Sequence, residues 1–306
     1  MVYDKTGLMA VTRVLCVEAE WDRLAIVAVV QPKCFVLSEP INSTQRRFYG
    51  TKDQPSRSLL VDQHASVVRA LTAAGVRVVD IEPTENLPFQ FFLRDAAMVI
   101  GSGLILGRMA RAVRMSEPSV FATALSARSV IDVEVGQLEG GDIAVTPDEV
   151  FVGLGERTDD RGYASLRDLL NGTRRVTPIR LAPDVLHLDV AANLLGPGVG
   201  VLHRPSIVGD LPESLREVDW IEITDDEFAE QAANMLVLEP GVVMLDARHE
   251  RLHNALTVRG FRCIVVQLDE ITKVGGGVRC MTLPLVRTST PKHLLSDLES
   301  VREETN

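Results

Sequence analysis

The stretch "GDIAVTPDEVFVGL", Gly141–Leu154, decides the fold. An apolar strand meets a Thr-Pro-Asp turn and a second apolar strand follows, which is the pattern of a tight hairpin. Working outward from it, the same figure returns as "AAMVIGSGLILG" (Ala96–Gly107), "AANLLGPGVGVLH" (Ala191–His203) and "NMLVLEPGVVML" (Asn234–Leu245). A fifth copy, "CMTLPLV" (Cys280–Val286), has the first strand and lacks the second. After most hairpins comes a polar, helix-compatible stretch such as "TDDRGYASLRDLLNG" or "RHERLHNALTVRG", and then a further strand such as "FRCIVVQLD". The unit therefore reads strand, helix, strand, hairpin strand, with a period of about 45 residues. A similar period suits successive βα units in an open Rossmann-like sheet, and spacing alone leaves that open. The preferred reading is a closed ring, an α/β propeller of five pseudo-symmetric blades built from ββαβ-type units.

The residues just before each hairpin are the informative ones. They are Arg94-Asp95, Glu139-Gly-Gly-Asp142, His187-Leu-Asp189, Asn234 and Arg279-Cys280, separated by about 44, 48, 47 and 46 residues. Equivalent places in a ring of repeats converge on its axis. The spacing thus brings an Asp, a Glu, a His and a Cys to one central cleft.

Composition bounds the chemistry. The chain has 306 residues, 46% of them hydrophobic, enough for one large core or two ordinary ones. A formal net charge of −10 and a pI near 5.2 argue against nucleic acid and against an anionic membrane surface as partners. A small cationic substrate suits that balance better. Cys16, Cys34, Cys263 and Cys280 are widely spaced with no CxxC pair, so neither a zinc knuckle nor a disulfide framework is expected. A reducing, cytoplasmic setting is the default. No apolar run reaches membrane-span length, and acidic residues interrupt the N-terminal apolar segment where a signal peptide would need continuity. Residues 1–30 read as an N-terminal extension to which no chemistry is assigned. Residues 31–306 read as one catalytic domain. Its C-terminal "TPKHLLSDLESVREE" reads as a capped amphipathic helix that covers an edge of the ring or meets a second copy in a homodimer.

Free cysteine is often a small core residue, and that is the bland reading of Cys280. As a nucleophile it needs a base or an electropositive setting. His187 alone among the histidines sits in a repeat-equivalent slot. His64, His203, His249, His253 and His293 fall in helical, turn or tail contexts. Asp95, Glu139 and Asp189 would raise a neighbouring thiol's pKa, which makes sense if the substrate is a cation. A planar guanidinium matches carboxylates bidentately, and its arrival would neutralise the acids and favour the thiolate. The glycine pairs and triplet at Gly140-Gly141 and Gly275–Gly277 permit close backbone approach. "GSGLILG" is a hairpin turn; its glycine spacing and its place inside a strand pair do not fit a dinucleotide fingerprint.

Together, "FFLRDAAMVI", "LEGGDIAV", "VGLGERTDDRG", "LHLDVAANLL" and "GGGVRCMTLPL" resemble the signatures of the guanidino-group-modifying enzymes, the superfamily of arginine deiminases, dimethylargininases and amidinotransferases. The resemblance runs from about Lys33 to about Val286 and implies the five-bladed pentein fold. By that resemblance Cys280 is the nucleophile and His187 the general acid/base. Glu139 and Asp95 hold the substrate guanidinium, and Asp189 is a second guanidinium carboxylate of the arginine deiminase and amidinotransferase type. Arg157 grips the substrate α-carboxylate. Arg108 is the candidate for a second such arginine, with Arg111 and Arg114 competing for the role. Phe89 and Arg94 stand where dimethylargininases place acids, which points to unmethylated arginine or another guanidine. The implied activity is hydrolysis to a ureido product such as citrulline, without cofactor or metal. The alternative activity is amidino transfer to an acceptor amine. A non-catalytic binding module is disfavoured, because a binder has no use for the thiol.

Overall fold

The structure, a computed structural model, describes residues 15–125 and 130–289. Within them, fifteen strands form five three-stranded sheets. In chain order these strands are β1 (Arg23–Val30), β2 (Arg77–Ile81), β3 (Ala97–Ile100), β4 (Gly103–Leu106), β5 (Val130–Asp132), β6 (Ile143–Val145), β7 (Glu149–Leu154) and β8 (Arg175–Arg180). They continue as β9 (Ala192–Gly196), β10 (Val199–Leu202), β11 (Asp219–Glu222), β12 (Leu236–Glu239), β13 (Val242–Asp246), β14 (Arg262–Val266) and β15 (Leu283–Thr288).

Four sheets are contiguous in sequence: β3-β4-β5, β6-β7-β8, β9-β10-β11 and β12-β13-β14. In each, an antiparallel hairpin is followed by a helical connection and a third strand parallel to the hairpin's second. The fifth sheet joins the two ends of the chain. β15 pairs antiparallel with β1, and β1 pairs parallel with β2.

Side-chain alternation along the strands explains why the sheets form a ring. In β6, Ile143 and Val145 pack with β3 and β4, whereas Ala144 packs with β9 and β10. In β7, Val150 and Val152 face one neighbour and Phe151 the other. Both faces of each blade are therefore buried, which is why these strands are apolar throughout rather than alternating. Five hydrophobic clusters result, each shared by two consecutive sheets. The fifth cluster joins β12–β14 to Leu24 and Val27 of β1 and so completes the circle. The architecture is the five-bladed α/β propeller that the repeat implies.

The N-terminal reading is corrected here. Arg23–Val30 is not an extension but the middle strand of the fifth blade, and it supplies the second strand missing from "CMTLPLV". The sequence hides this because the two paired strands lie about 260 residues apart, with no hairpin turn to link them. Residues 15–22 are also built in. Cys16 bridges to Val286 and Val17 to Gly101, and the Glu20 N–H donates to the Val145 carbonyl at 2.9 Å. The expected C-terminal helix lies outside the described residues.

Candidate active site

Each residue that the repeat singles out lies in a short turn leading into the first strand of a blade. Asp95 sits in the turn Leu93–Ala96 before β3, and Glu139 immediately precedes Gly140–Asp142 before β6. His187 precedes the turn Leu188–Ala191, which carries Asp189 into β9. Asn234 and Cys280 precede β12 and β15. All six side chains are buried.

Contacts link them into one cluster. Glu139 Oε2 lies 2.8 Å from His187 Nε2 and accepts from Arg157 Nη1 at 3.3 Å, while Oε1 accepts from the Ala110 N–H at 2.9 Å. Glu139 thus holds His187 and Arg157 through Oε2, while Oε1 accepts one bond and keeps a further lone pair. Asp95 Oδ2 accepts from Arg114 Nη1 at 2.6 Å. Its Oδ1 has no partner and faces His187 Nδ1, also unpartnered, at 3.7 Å. Cys280 Sγ is 3.5 Å from Asp189 Oδ2 and 3.0 Å from Asn234 Nδ2. The backbone N–H of Arg94, beside Asp95, donates to the Cys280 carbonyl at 3.2 Å. Gly141 makes this approach possible. A Cβ there would stand 2.7 Å from His187 Nδ1 and 2.8 Å from Asp95 Oδ1.

The electrostatics follow from this packing. Burial disfavours the imidazolium, but Asp95, Asp142 and the bond to Glu139 outweigh it and raise the His187 pKa to about 9. Burial would raise the Glu139 carboxyl, yet His187 and Arg157 hold it below the usual carboxylate range. Burial, then the charges of Asp189 and Asp95, push the Cys280 thiol well above its ordinary value. This packing therefore favours the thiol over the thiolate at Cys280 and the imidazolium at His187.

Several contributors have roles that the sequence did not reveal. Arg114 is buried and bonds Asp95, Glu117 and the Phe92 carbonyl, so it orients Asp95 and has no hand free for a substrate. Asp142 accepts from the Leu188 N–H at 2.9 Å and from the Thr158 hydroxyl at 2.7 Å, which ties the His187 turn to the neighbouring blade. Burial raises the Asp142 carboxyl to about 7. Glu20, from the segment given no chemistry, accepts a fork of two bonds from Arg279 at 2.6 and 3.2 Å and lies 4.0 Å from Arg94. Arg279 Nε in turn lies 3.5 Å from Asp189.

Two expectations for the arginines are corrected. The exposed Arg108 pairs through its backbone with Leu138, and its side chain lines a separate peripheral cavity with Met115 and Arg161. That cavity shares no lining residue with the cluster, although the chain just beyond Arg108 returns to it through Ala110 and Arg114. Arg94 does not shape the pocket either, since it turns to Thr282 and Glu20 behind Asp95. Arg157 does reach the cluster, where it bonds Glu139 and the Ile41 carbonyl. Phe89 lines the small cavity beside Phe92.

That cavity, of about 10 Å³, is bounded by Ile41, Asn42, Phe89, Phe92, Asp95 and His187. It is roughly the space of one water. Its roof is the segment Ile41–Gln45, held down by Asn42 and Gln45 side-chain amides on the Val274 carbonyl at 3.1 and 2.9 Å. The nearest ligand atoms of Asp95, Glu139 and His187 lie within 4.8 Å of one another, close enough for a cation. Arginines and backbone already bond the other carboxylate oxygens, leaving one oxygen and one nitrogen without a partner. A bound metal usually takes three or more protein ligands, so the donor set suits a hydrogen-bonding cation better.

Comparison with known proteins places the chain. The family described as N,N dimethylarginine dimethylhydrolase, eukaryotic, matches residues 31–287. The protein YkgA of Bacillus subtilis is 30% identical over 274 residues, 88% of this chain and 94% of that one. The N(G),N(G)-dimethylarginine dimethylaminohydrolase of Pseudomonas aeruginosa is 26% identical over 240 residues, 75% of this chain and 90% of its own. Among solved structures, SxtG, an amidinotransferase of Microseira wollei, superposes with a TM-score of 0.76 at 19% identity, covering 91% of this chain and 98% of that one. The last likeness bears on the fold alone. From the extent of the family match and the coverage of these relatives, the chain belongs to the N,N-dimethylarginine dimethylhydrolase family.

Proposed function

We propose that the protein is a cysteine-dependent hydrolase of the guanidinium group of arginine or a close Nω-methylated derivative. It releases ammonia or an amine and leaves a ureido product such as citrulline. One observation carries the reading. An unpartnered carboxylate oxygen (Asp95 Oδ1), an unpartnered imidazole nitrogen (His187 Nδ1) and a thiol against a second carboxylate (Asp189) belong to one buried cluster. Two acids on either side of a thiol disfavour its ionisation, and a planar cation between them removes the objection.

The steps follow from the charges. A guanidinium entering between Asp95 and Asp189 cancels their field and lets the Cys280 thiol lose its proton to solvent. The thiolate attacks the guanidinium carbon, forming a C–S bond and a tetrahedral adduct. His187, protonated at the start, gives its proton to the departing nitrogen as the C–N bond breaks, and a thiouronium ester remains. Neutral His187 then takes a proton from water, whose oxygen attacks the same carbon. The C–S bond breaks as the adduct's hydroxyl proton passes to the departing sulfur, so the thiol is restored and the neutral ureido product leaves. Such acid–base help is worth about 10²–10⁴-fold. Arginine exceeds the present cavity many times over, so the roof Ile41–Gln45 moves for entry. Arg157, adjoining that roof through Ile41, serves the far carboxylate once it opens.

Colorimetric ureido detection with arginine, methylated arginines, agmatine and guanidino acids tests the reading. Activity in the wild type and none in Cys280→Ser is expected; full activity in the variant refutes the nucleophile. The likeness in fold to an amidinotransferase makes transfer the second reading. Product that requires added glycine or lysine would favour it.

A further inference from the structure

Asn234 occupies the fourth of the five equivalent slots, yet an amide has no acid–base chemistry to offer. Its contacts give it another task. Its Oδ1 accepts from the backbone N–H groups of Gly277 at 2.9 Å and Cys280 at 3.0 Å. Two N–H donors on one atom fix which end of the amide is oxygen. The other end, Nδ2, therefore donates to Cys280 Sγ at 3.0 Å and to the Asp189 carbonyl at 3.5 Å. The loop fits this closely because residue 277 is glycine. A Cβ there would lie 2.8 Å from the Asn234 carbonyl and 3.0 Å from Oδ1. That closeness gives one reason for the run of glycines ahead of the cysteine.

We propose that Asn234 is a catalytic residue that donates a hydrogen bond to the Cys280 sulfur, stabilising the thiolate before attack and the negative charge on the sulfur as it departs from the ureido carbon. The inference rests on the reading of Cys280 as nucleophile. The charged groups around the sulfur are Asp189 and Asp95, which oppose its ionisation, and Arg279, which favours it. Behind Asp95 stands His187. Bonds to charged acceptors are about twice as strong as neutral ones, and this one is sealed from water. Asn234 also holds the loop by Oδ1, so a purely structural role has to be separated from the donor role.

Asn234→Asp does that. It keeps an oxygen for the Gly277 and Cys280 N–H groups and replaces the donor by an acceptor. In the alkaline range where the thiol titrates, the introduced carboxyl is ionised. The readout is the rate of iodoacetamide labelling at Cys280, resolved by peptide mass spectrometry from labelling at Cys16, Cys34 and Cys263, across pH 7–10. The rate at pH 8 should fall at least about tenfold, since the thiolate alone reacts, and kcat should fall at least about tenfold with KM changed less than about threefold. Labelling and kcat within twofold of wild type would overturn the proposal. If Asn234→Asp does not fold by circular dichroism, the labelling–pH profile of Asn234→Ala decides: a profile displaced to higher pH with the same plateau upholds the donor, and a profile that is not displaced overturns it. Labelling requires no turnover, so absence of ureido activity in the wild type would sink the hydrolase reading while leaving this result to stand or fall separately.

Discussion

Replacing Glu20 by Gln should destabilise the protein by about 3 kcal/mol at pH 7. Glu20 is 3% exposed and forks onto Arg279 at 2.6 and 3.2 Å, with Arg94 at 4.0 Å. Burial favours the neutral acid, but the two arginines reverse it and depress the carboxyl from 4.5 to about 2. At about 1.4 kcal/mol per pH unit, that depression is worth about 3 kcal/mol, which agrees with the roughly 3–5 kcal/mol lost when a buried pair loses one member. The sign is fixed by the direction. A lowered carboxyl contributes fully above its unfolded value near 4.5, and the contribution fades as pH falls toward 2. At about 2–4 °C per kcal/mol, Glu20→Gln should melt about 6–12 °C below wild type at pH 7. Urea unfolding of both proteins at pH 7 and pH 3 reads the difference. The gap should shrink by half or more at pH 3. An unchanged midpoint at pH 7, or a gap that does not vary with pH, would refute the claim that this ion pair stabilises the ring.

Three further outcomes are expected. Gly141→Ala should cut kcat/KM at least about 100-fold in the ureido assay, because its methyl would fill the space between His187 and Asp95. Wild-type melting temperature should fall as pH rises from about 6.5 to about 9, the window in which the unfolded imidazole and then the raised His187 lose their protons; His187→Gln should lack that slope in calorimetry. Gln45→Ala removes two bonds that seat the roof, to the Ile41 N–H and the Val274 carbonyl. It should speed the labelling of Cys280 several-fold at fixed pH, and an unchanged rate would mean that access lies elsewhere.

What the sequence showed and hid follows from the geometry of the blades. Asp95, Glu139, His187 and Cys280 could be grouped because each opens a hairpin of similar length, and a ring carries equal spacing to one axis. β1 escaped because its partner is at the far end of the chain, so no local turn marks it. Glu20 escaped with it, as it belongs to no repeat. Arg94-Asp95 and Arg279-Cys280 show a second limit. In both pairs consecutive residues part ways, the second facing the site and the arginine turning back to Glu20. Motif spacing cannot tell such neighbours apart. Arg108 was drawn to the site by its place after β4, yet it is exposed on another cavity while its neighbours Ala110 and Arg114 make the contacts with the cluster. Arg114, weighed for the substrate carboxylate, instead spans Asp95 and Glu117, a contact that motif spacing does not show.

The seam between β1 and β15 has a consequence for synthesis on the ribosome. Emerging chain can build four blades in turn, each from neighbouring sequence. The Cys280 sulfur, three residues ahead of β15, follows every other member of the cluster in chain order. Until that strand docks against one made some 260 residues earlier, the acids and the imidazole stand without the thiol beside them. The buried cluster is thus completed only as the ring closes, by the slow pairing of distant segments.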